Sequence, residues 1–134
     1  MKKIILTSVG LWLLLASVVA CAGQGGRGEI AVATESDTPV ASVSRQAGLS
    51  PFFLLFDKDG TLLEAMKNPV QTGGMGSGTA VVDSLADKGV KVLVAEGFGS
   101  RIVEYMASKG MRQLEYKGSA ADAVKRVKSV LESE

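Results

Sequence analysis

The chain has 134 residues, of which 46% are hydrophobic and 22% charged, a balance typical of one folded globular domain. It carries 15 basic and 14 acidic residues, and removing the two lysines of an N-terminal targeting segment, Lys2 and Lys3, leaves 13 against 14. A nearly neutral chain without a basic stretch lacks the clustered Lys and Arg that phosphate backbones require. We therefore expect no nucleic-acid partner.

Two residue types are absent or nearly absent. The chain contains no His, which excludes Ser-His-Asp and Cys-His catalysis as well as His-ligated zinc. Its single cysteine, Cys21, excludes an internal disulfide and an iron-sulfur site that takes four thiolates from one chain. Any metal would need carboxylate, carbonyl, Met or hydroxyl ligands.

The N-terminal segment predicts export. Two lysines precede a long apolar run, so residues 1–22 are interpreted as a signal peptide. Residues 18–21, Val-Val-Ala-Cys, resemble a bacterial lipobox in which Cys21 is lipidated, while ordinary signal cleavage and an uncleaved membrane anchor remain open. Each alternative places the remainder outside the cytoplasm, in the periplasm or on the outer face of a membrane. We favour a lipoprotein whose Gly-rich residues 23–28 form a tether.

The following residues, 29–134, predict one α/β domain that begins with strands. EIAVAT at 29–34 is typical of a buried strand, and residues 35–50 show no periodicity and are predicted to form a long loop. The apolar runs PFFLLFD and TLLEAMK flank Asp59-Gly60, and such a pair predicts an antiparallel hairpin.

Helices and strands then alternate. A helix over about residues 79–88 precedes a strand over 90–95, and a second helix with Ser100 as its N-cap precedes the strand RQLEY. The last helix is amphipathic, with an apolar stripe of Ala123, Val124, Val127, Val130 and Leu131. This order predicts a five-stranded mixed sheet with an antiparallel hairpin at one edge, parallel strands elsewhere and three helices.

Two glycine-rich loops precede helices and predict a ligand pocket. GGMGSGT and GFGS each lead into a helix N-terminus, where backbone N–H groups and the helix dipole attract anions. Neither loop matches a phosphate-binding signature, and a flexible surface loop is the alternative for the first. Because ligands of such sheets bind at the carboxyl ends of parallel strands, we expect one shared pocket. Its candidate residues are Arg45, Gly73, Gly74, Gly76, Ser77, Gly78, Thr79, Gly97, Phe98 and Gly99, with Arg101 as a further polar contact.

An enzymatic alternative rests on the sequence Asp-Lys-Asp-Gly-Thr after an apolar strand. It resembles the first motif of haloacid dehalogenase phosphatases, in which Asp57 would be the nucleophile and Asp59 the acid-base partner beside magnesium. The later acidic residues do not supply the second acidic pair of that family. A hairpin turn at Asp59 is the preferred interpretation, and we predict that the chain is not an enzyme.

Taken in order, several segments resemble the dinitrogenase iron-molybdenum cofactor-binding family, which includes the NifX and NafY carriers and the C-terminal domain of NifB. They are IAVAT, PFFLLFDKDGTLLEAMKNP, GGMGSGTAVVDSLADKGVKVLVAEGFG and YKGSAADAV, and the resemblance spans nearly all of residues 29–131. It implies a ribonuclease H-like fold and a non-catalytic carrier of an iron-sulfur or iron-molybdenum cluster or its precursor.

The chain departs from this family at one stretch. Where members often carry His-Phe-Gly-Arg, the matching residues 46–49 are Gln-Ala-Gly-Leu. The expected ligand is therefore a metal cluster or a small anion held by backbone N–H groups. A protein-interaction module with a vestigial pocket is the remaining alternative.

Overall fold

The computed structural model describes residues 28–70 and 76–134. The predicted signal peptide, the lipidation site Cys21 and most of the predicted tether lie outside these residues, as do Gly73 and Gly74 of the first glycine loop. Within the described ranges, no helix is both long and apolar enough to cross a membrane.

Strands and helices follow one another in the order that the sequence predicts. In chain order they are β1 (Ile30–Thr34), a 3-10 helix (Ala47–Leu49), β2 (Phe52–Phe56), β3 (Leu62–Lys67), α1 (Ser77–Asp87), β4 (Val92–Ala95), α2 (Ser100–Ser108), β5 (Arg112–Glu115) and α3 (Ala120–Glu132).

The strands form one mixed sheet in the order β3-β2-β1-β4-β5. The central strand β1 runs antiparallel to β2, with Ile30 opposite Phe56, and parallel to β4, with Ile30 beside Val92. β2 and β3 form an antiparallel hairpin at one edge, and β5 lies parallel to β4 at the other. The predicted α/β class, mixed five-stranded sheet and three helices are confirmed.

Helices cover both faces of the sheet because β1 is apolar on both sides. Successive strand residues face opposite sides. Ala31 and Ala33 pack with the residues of α1 and α2, whereas Ile30 and Val32 pack with α3. The sheet is therefore the middle layer of three, and its strand ends are the places where loops from different layers meet.

The hairpin turn is built by the Asp57 carboxylate. Its Oδ1 accepts the backbone N–H of Asp59 at 2.9 Å and of Thr61 at 2.9 Å, and Gly60 adopts a left-handed φ of +94°. The turn follows Phe56, which pairs with the first residue of β1, so it lies at the opposite end of the sheet from the carboxyl end of β1. Asp57 thus has a turn-building role, and the geometry gives the phosphatase interpretation no support.

The segment predicted as a long loop is more structured than its sequence indicates. It contains the 3-10 helix Ala47–Leu49, and Val43 forms an isolated antiparallel bridge with Thr34. The Ser44 backbone N–H donates to the Ala33 carbonyl at 2.7 Å, and its carbonyl accepts from the Glu96 N–H at 2.9 Å. Tertiary hydrogen bonds, which leave no periodicity in the sequence, hold this segment against the ends of β1 and β4.

Helix starts differ from the predictions by one or two residues. α1 begins at Ser77 and not at about Thr79, and its N-cap is Gly76 at φ +85°. The prediction that Ser100 is the N-cap of α2 is wrong, because Ser100 is the first helical residue and Gly99 is the N-cap. A glycine has no side chain to cap the helix, so a sequence rule based on Ser placed the cap one residue too late.

Candidate functional site

A cleft of about 250 Å³ lies at the carboxyl ends of β1 and β4. Three segments form its walls: the 3-10 helix, the first turn of α1 and the first turn of α2. The lining residues are Gln46, Ala47, Gly48, Leu49, Gly76, Ser77, Gly78, Gly99, Arg101 and Ile102. The structure thus brings the described parts of both predicted glycine loops to one cleft.

Ile102 forms the floor between two glycines and is buried in the core. A Cβ atom at Gly78 would lie 2.6 Å from Ile102 Cγ1, and one at Gly48 would lie 3.0 Å from Ile102 Cδ1. Contacts under 3.0 Å essentially never occur at a real Cβ atom. These glycines therefore allow the 3-10 helix, α1 and α2 to approach one another closely.

The α2 N-terminus lacks a side-chain cap, and its first turn holds no acidic residue. The α1 N-terminus shares both properties, with Gly76 in the capping position. By contrast, Ser119 caps α3 by accepting the Asp122 N–H at 3.2 Å, and Asp122 adds a negative charge to that first turn. Among residues 28–70 and 76–134, no capping side chain satisfies the orphan N–H groups in the first turn of α1 or α2, and neither first turn holds an acid that offsets the positive end of the dipole.

Arg101 is the one charged side chain among the residues that line the cleft. It lies in the first turn of α2, so its guanidinium adds a full positive charge to the partial positive charge of that helix terminus. With two helix N-termini and no carboxylate among the lining residues that the structure describes, the potential of the cleft favours an anion. Because Arg101 is exposed to solvent, its attraction for an anion is screened by salt.

An ionic cluster outside the cleft ties the two helices together. Tyr105 of α2 donates its hydroxyl to Asp83 Oδ1 of α1 at 2.8 Å, and Lys109 Nζ lies 3.3 Å from the same oxygen. The Tyr105 hydrogen bond is the main cause that lowers the pKa of Asp83, and Asp83 in turn raises the pKa of Tyr105 and of Lys109. These contacts help to fix the separation of the helices.

Four of the predicted ligand-binding residues line the cleft: Gly76, Ser77, Gly78 and Gly99. Arg101, the predicted further polar contact, lines it as well. Ligand binding by these residues stays a prediction. They share one cavity, and a Cβ on Gly76 or Gly99 would meet no other described residue within 4 Å.

Four other predicted residues lie beside the cleft. Thr79 donates its hydroxyl back to the Gly76 carbonyl at 2.9 Å, and Phe98 packs against the hydrophobic core. Gly97 meets the Arg45 backbone, since its Cβ would lie 3.2 Å from the Arg45 carbonyl oxygen. Neither Arg45 nor Gly97 is among the lining residues. All four residues were predicted to bind a ligand from their residue types. For Thr79, Phe98 and Gly97 the contacts instead show local structural roles.

The sequence-based set of candidate residues lacked the 3-10 wall. Gln46, Ala47, Gly48 and Leu49 line the cleft, and they are the residues that stand where the resembling family often has His-Phe-Gly-Arg. The difference between residues 46–49 and the His-Phe-Gly-Arg of the resembling family was the sequence signal that could have predicted this wall.

The side chains do not fit direct coordination of a metal cluster. The whole chain has no His, and Cys21 precedes the described domain. Within residues 28–70 and 76–134, no group of three His, Cys, Asp or Glu could hold a metal ion. The donors among the described lining residues are backbone N–H groups, the Gln46 side-chain amide, the Ser77 hydroxyl and the Arg101 guanidinium, which suit the hydrogen-bonding surface of an anion.

Together, the fold and the cleft define a small three-layer α/β domain with a glycine-lined cavity at its parallel strand ends. The sequence model of a family described as dinitrogenase iron-molybdenum cofactor matches residues 28–130. The chain belongs to this family.

Solved structures support the same fold. The apo form of the orange protein from Desulfovibrio gigas is 24% identical with a TM-score of 0.69, and the match covers 79% of this chain and 91% of that one. A NifB-like protein of the DUF35 family from Thermotoga is 23% identical with a TM-score of 0.65, covering 75% and 86%. The protein PH0822 is 23% identical with a TM-score of 0.63, covering 75% and 90%. At these identities the likeness shows the fold alone. No curated protein matches the chain closely enough to count as a relative.

Proposed function

We propose that this chain is a non-catalytic carrier whose cargo is an anionic metal-sulfur cluster, a precursor of one, or a small oxyanion bound at the cleft. The observation that carries the proposal is the convergence of two uncapped helix N-termini and Arg101 on one cavity. Membership of the dinitrogenase iron-molybdenum cofactor family supports a cargo of this kind. The mixed sheet with its antiparallel edge supports the ribonuclease H-like assignment that the resemblance implies.

The cargo would be held without bonds from protein side chains to metal. Sulfide and oxide ligands on the outside of a cluster are hydrogen-bond acceptors, and the N–H groups of a helix first turn point at an anion placed on the helix axis. The Arg101 guanidinium would add a charge-assisted hydrogen bond. Because hydrogen bonds to an anion are weaker than metal–thiolate bonds, this arrangement suits a carrier that must release its cargo.

We also propose that the domain is exported and tethered to a membrane through Cys21. The supporting observation is the place where the proposed tether joins the domain. Gly28 precedes the first residue of β1, whereas the cleft lies beyond the carboxyl end of that strand. A tether at Gly28 would leave the cleft at the far end of the sheet, accessible to a donor or acceptor of the cargo. Mass spectrometry of the processed chain tests this, since a lipidated Cys21 would be the first residue and Cys21→Ser would abolish the modification.

Titration with molybdate and tetrathiomolybdate tests the carrier proposal. These anions are tetrahedral, contain the metal of the family's cofactor and present oxide or sulfide surfaces. We expect amide chemical-shift changes at the three walls of the cleft, including Gly48, Ser77, Gly78, Ser100 and Arg101, in the full-length chain in mild detergent.

Two exposed arginines provide the matched comparison. Arg101→Gln should weaken binding of both probes and reduce its salt dependence, while Arg126→Gln, on the exposed face of α3, should do neither. If no shift appears at these amides with either anion, the carrier proposal fails and the interaction module remains. Elemental analysis of the chain purified anaerobically from its native host then identifies the natural cargo, with stoichiometric iron or molybdenum expected.

A further inference from the structure

Asn68 is a buried polar residue at the end of the β2–β3 hairpin. Its side chain is 7% exposed, and it directly follows β3. An amide buried in this way must find hydrogen-bond partners, because an unsatisfied one strongly destabilises the fold. The partners that it finds belong to the wall of the candidate cleft.

The Asn68 amide holds the 3-10 wall from behind. Its Nδ2 donates to the Gly48 carbonyl at 3.1 Å and to the Ser50 carbonyl at 2.8 Å. Its backbone N–H donates to the Pro51 carbonyl at 3.0 Å. Three backbone carbonyls of the segment that follows Ala47 therefore accept hydrogen bonds from one residue at the end of β3.

The same side chain also acts on the chain that leads toward the opposite wall. Its Oδ1 accepts the Val70 N–H at 2.8 Å, and Val70 packs against the core cluster that contains Ile102. Ile102 in turn fills the space between Gly48 and Gly78. Through Asn68, the position of the 3-10 wall and the direction of the chain beyond β3 are set together.

We infer that Asn68 is the positioning residue of the cleft: it fixes the 3-10 wall at the distance from the α1 and α2 N-termini at which an anion contacts all three. It does not touch the cargo. This inference rests on the proposed function, because the consequence of the positioning is anion affinity.

The test compares Asn68 variants with a matched loss of a buried hydrogen bond elsewhere. Thr34 is fully buried at the same end of the sheet, and its hydroxyl donates to the carbonyl of Ser36, which does not line the cleft, at 2.7 Å. Thr34→Val removes this hydroxyl and keeps the Thr34 carbonyl that accepts from Ser50 Oγ at 2.9 Å. In the full-length chain, Asn68→Ala should weaken molybdate binding about tenfold or more, while Thr34→Val should lower the melting temperature and leave the affinity within about twofold. Equal affinities for the Asn68 and Thr34 variants would overturn the inference.

Asn68→Asp covers the case in which the alanine variant does not fold. The carboxylate cannot donate to the Gly48 and Ser50 carbonyls, so affinity should fall at neutral pH. A protonated carboxyl regains one donor, and burial favours the protonated form, so affinity should recover as the pH is lowered toward about 5. A pH-independent affinity in this variant would contradict the role of the donor.

Amide hydrogen exchange provides a readout that does not depend on cargo. The Ala47 N–H donates to the Gly97 carbonyl and the Leu49 N–H donates to the Gln46 carbonyl, so both report on the closed wall. Their exchange should accelerate about tenfold in the Asn68 variants and stay unchanged in Thr34→Val. If the wild-type chain binds neither molybdate nor tetrathiomolybdate, the proposed function fails, yet this exchange result still decides whether Asn68 positions the wall.

Discussion

Replacing Gly99 with Asp should raise the stability of the fold and weaken anion binding. Gly99 is the N-cap of α2, its φ of −71° and ψ of 151° suit any residue, and a Cβ there meets nothing within 4 Å. An Asp side chain would accept the N–H of Arg101 or Ile102, supplying the missing cap. It would also place a carboxylate where the cargo is proposed to sit.

The expected gain in stability is about 1 kcal/mol. An Asp in place of a Gly cap contributes a few tenths of a kcal/mol, its charge at the positive end of the dipole a further ~0.3–1 kcal/mol, and loss of glycine freedom in the unfolded chain ~0.4–1 kcal/mol. For a domain of this size, 1 kcal/mol corresponds to a rise of about 4–8 °C in the melting temperature. Differential scanning calorimetry measures it directly.

The expected effect on anion binding has the opposite sign. Two unit charges about 4 Å apart repel by roughly 1 kcal/mol in bulk water and roughly 4 kcal/mol in the environment of a protein surface. A loss of affinity for molybdate of at least about fivefold follows.

Gly99→Asn is the matched control, because it has the same size and a similar capping preference without the charge. It should be stabilised to a smaller extent and should bind molybdate more tightly than the Asp variant. If the Asp and Asn variants lose affinity equally, the electrostatic reasoning is refuted. If the Asp variant binds as well as the wild type, the cleft is not the anion site.

Three further predictions use the same structure. Gly78→Ala should lower the free energy of unfolding by about 1–3 kcal/mol, because its Cβ would overlap Ile102 Cγ1 at 2.6 Å; combining it with Ile102→Ala should remove that penalty in a double-mutant cycle measured by urea unfolding. Asp57→Ala should lower the free energy of unfolding by about 1–2 kcal/mol, because two backbone N–H groups lose the carboxylate oxygen that accepts from both. Molybdate affinity should stay unchanged, because the turn lies at the other end of the sheet from the cleft. A change in affinity would contradict this topology. The ionised Asp83 carboxylate stabilises the fold above its ordinary pKa, and this contribution is lost as the pH falls through its lowered pKa in the folded state. Tyr105→Phe should therefore be less stable than the wild type at neutral pH, with a difference that narrows below about pH 4 in melting temperatures; a constant difference would argue against the Tyr105–Asp83 hydrogen bond.

The sheet could be predicted from the sequence because its signals are local. The Asp59-Gly60 pair between two apolar runs indicated the hairpin, and the buried run at residues 90–95 indicated a parallel strand. The 3-10 helix could not be predicted in the same way. Its hydrogen bonds come from Gly97 and Asn68, which are far away in the sequence, so residues 35–50 carry no periodic pattern of their own.

The candidate site was predicted in part for a related reason. A glycine that lines a cavity and a glycine that permits close packing look alike in a sequence, since both simply lack a side chain. Gly99 and Gly76 face open space, whereas Gly78 is needed against Ile102 and Gly97 against the Arg45 backbone. Only the tertiary contacts distinguish these cases, and they change which substitution is informative: Gly99 can be replaced without clash, while Gly78 cannot.

The N-termini of the three α-helices in residues 28–70 and 76–134 differ in a way that composition does not explain. Ser119 and Asp122 complete the start of α3, while α1 and α2 begin with glycine and without an acid, and these two starts are the ones that meet at the cleft. Among the described helices, the two that lack a side-chain cap are therefore α1 and α2, and the stability that such caps would add is missing only beside the cleft. An anion there would supply the missing acceptors and negative charge, so its binding should appear as a gain in stability. At molybdate concentrations 100 times the dissociation constant, linkage predicts a gain of about 2.7 kcal/mol. That gain should be smaller in Gly99→Asp at the same molybdate concentration, because the variant binds the anion more weakly and its own carboxylate already occupies the α2 terminus.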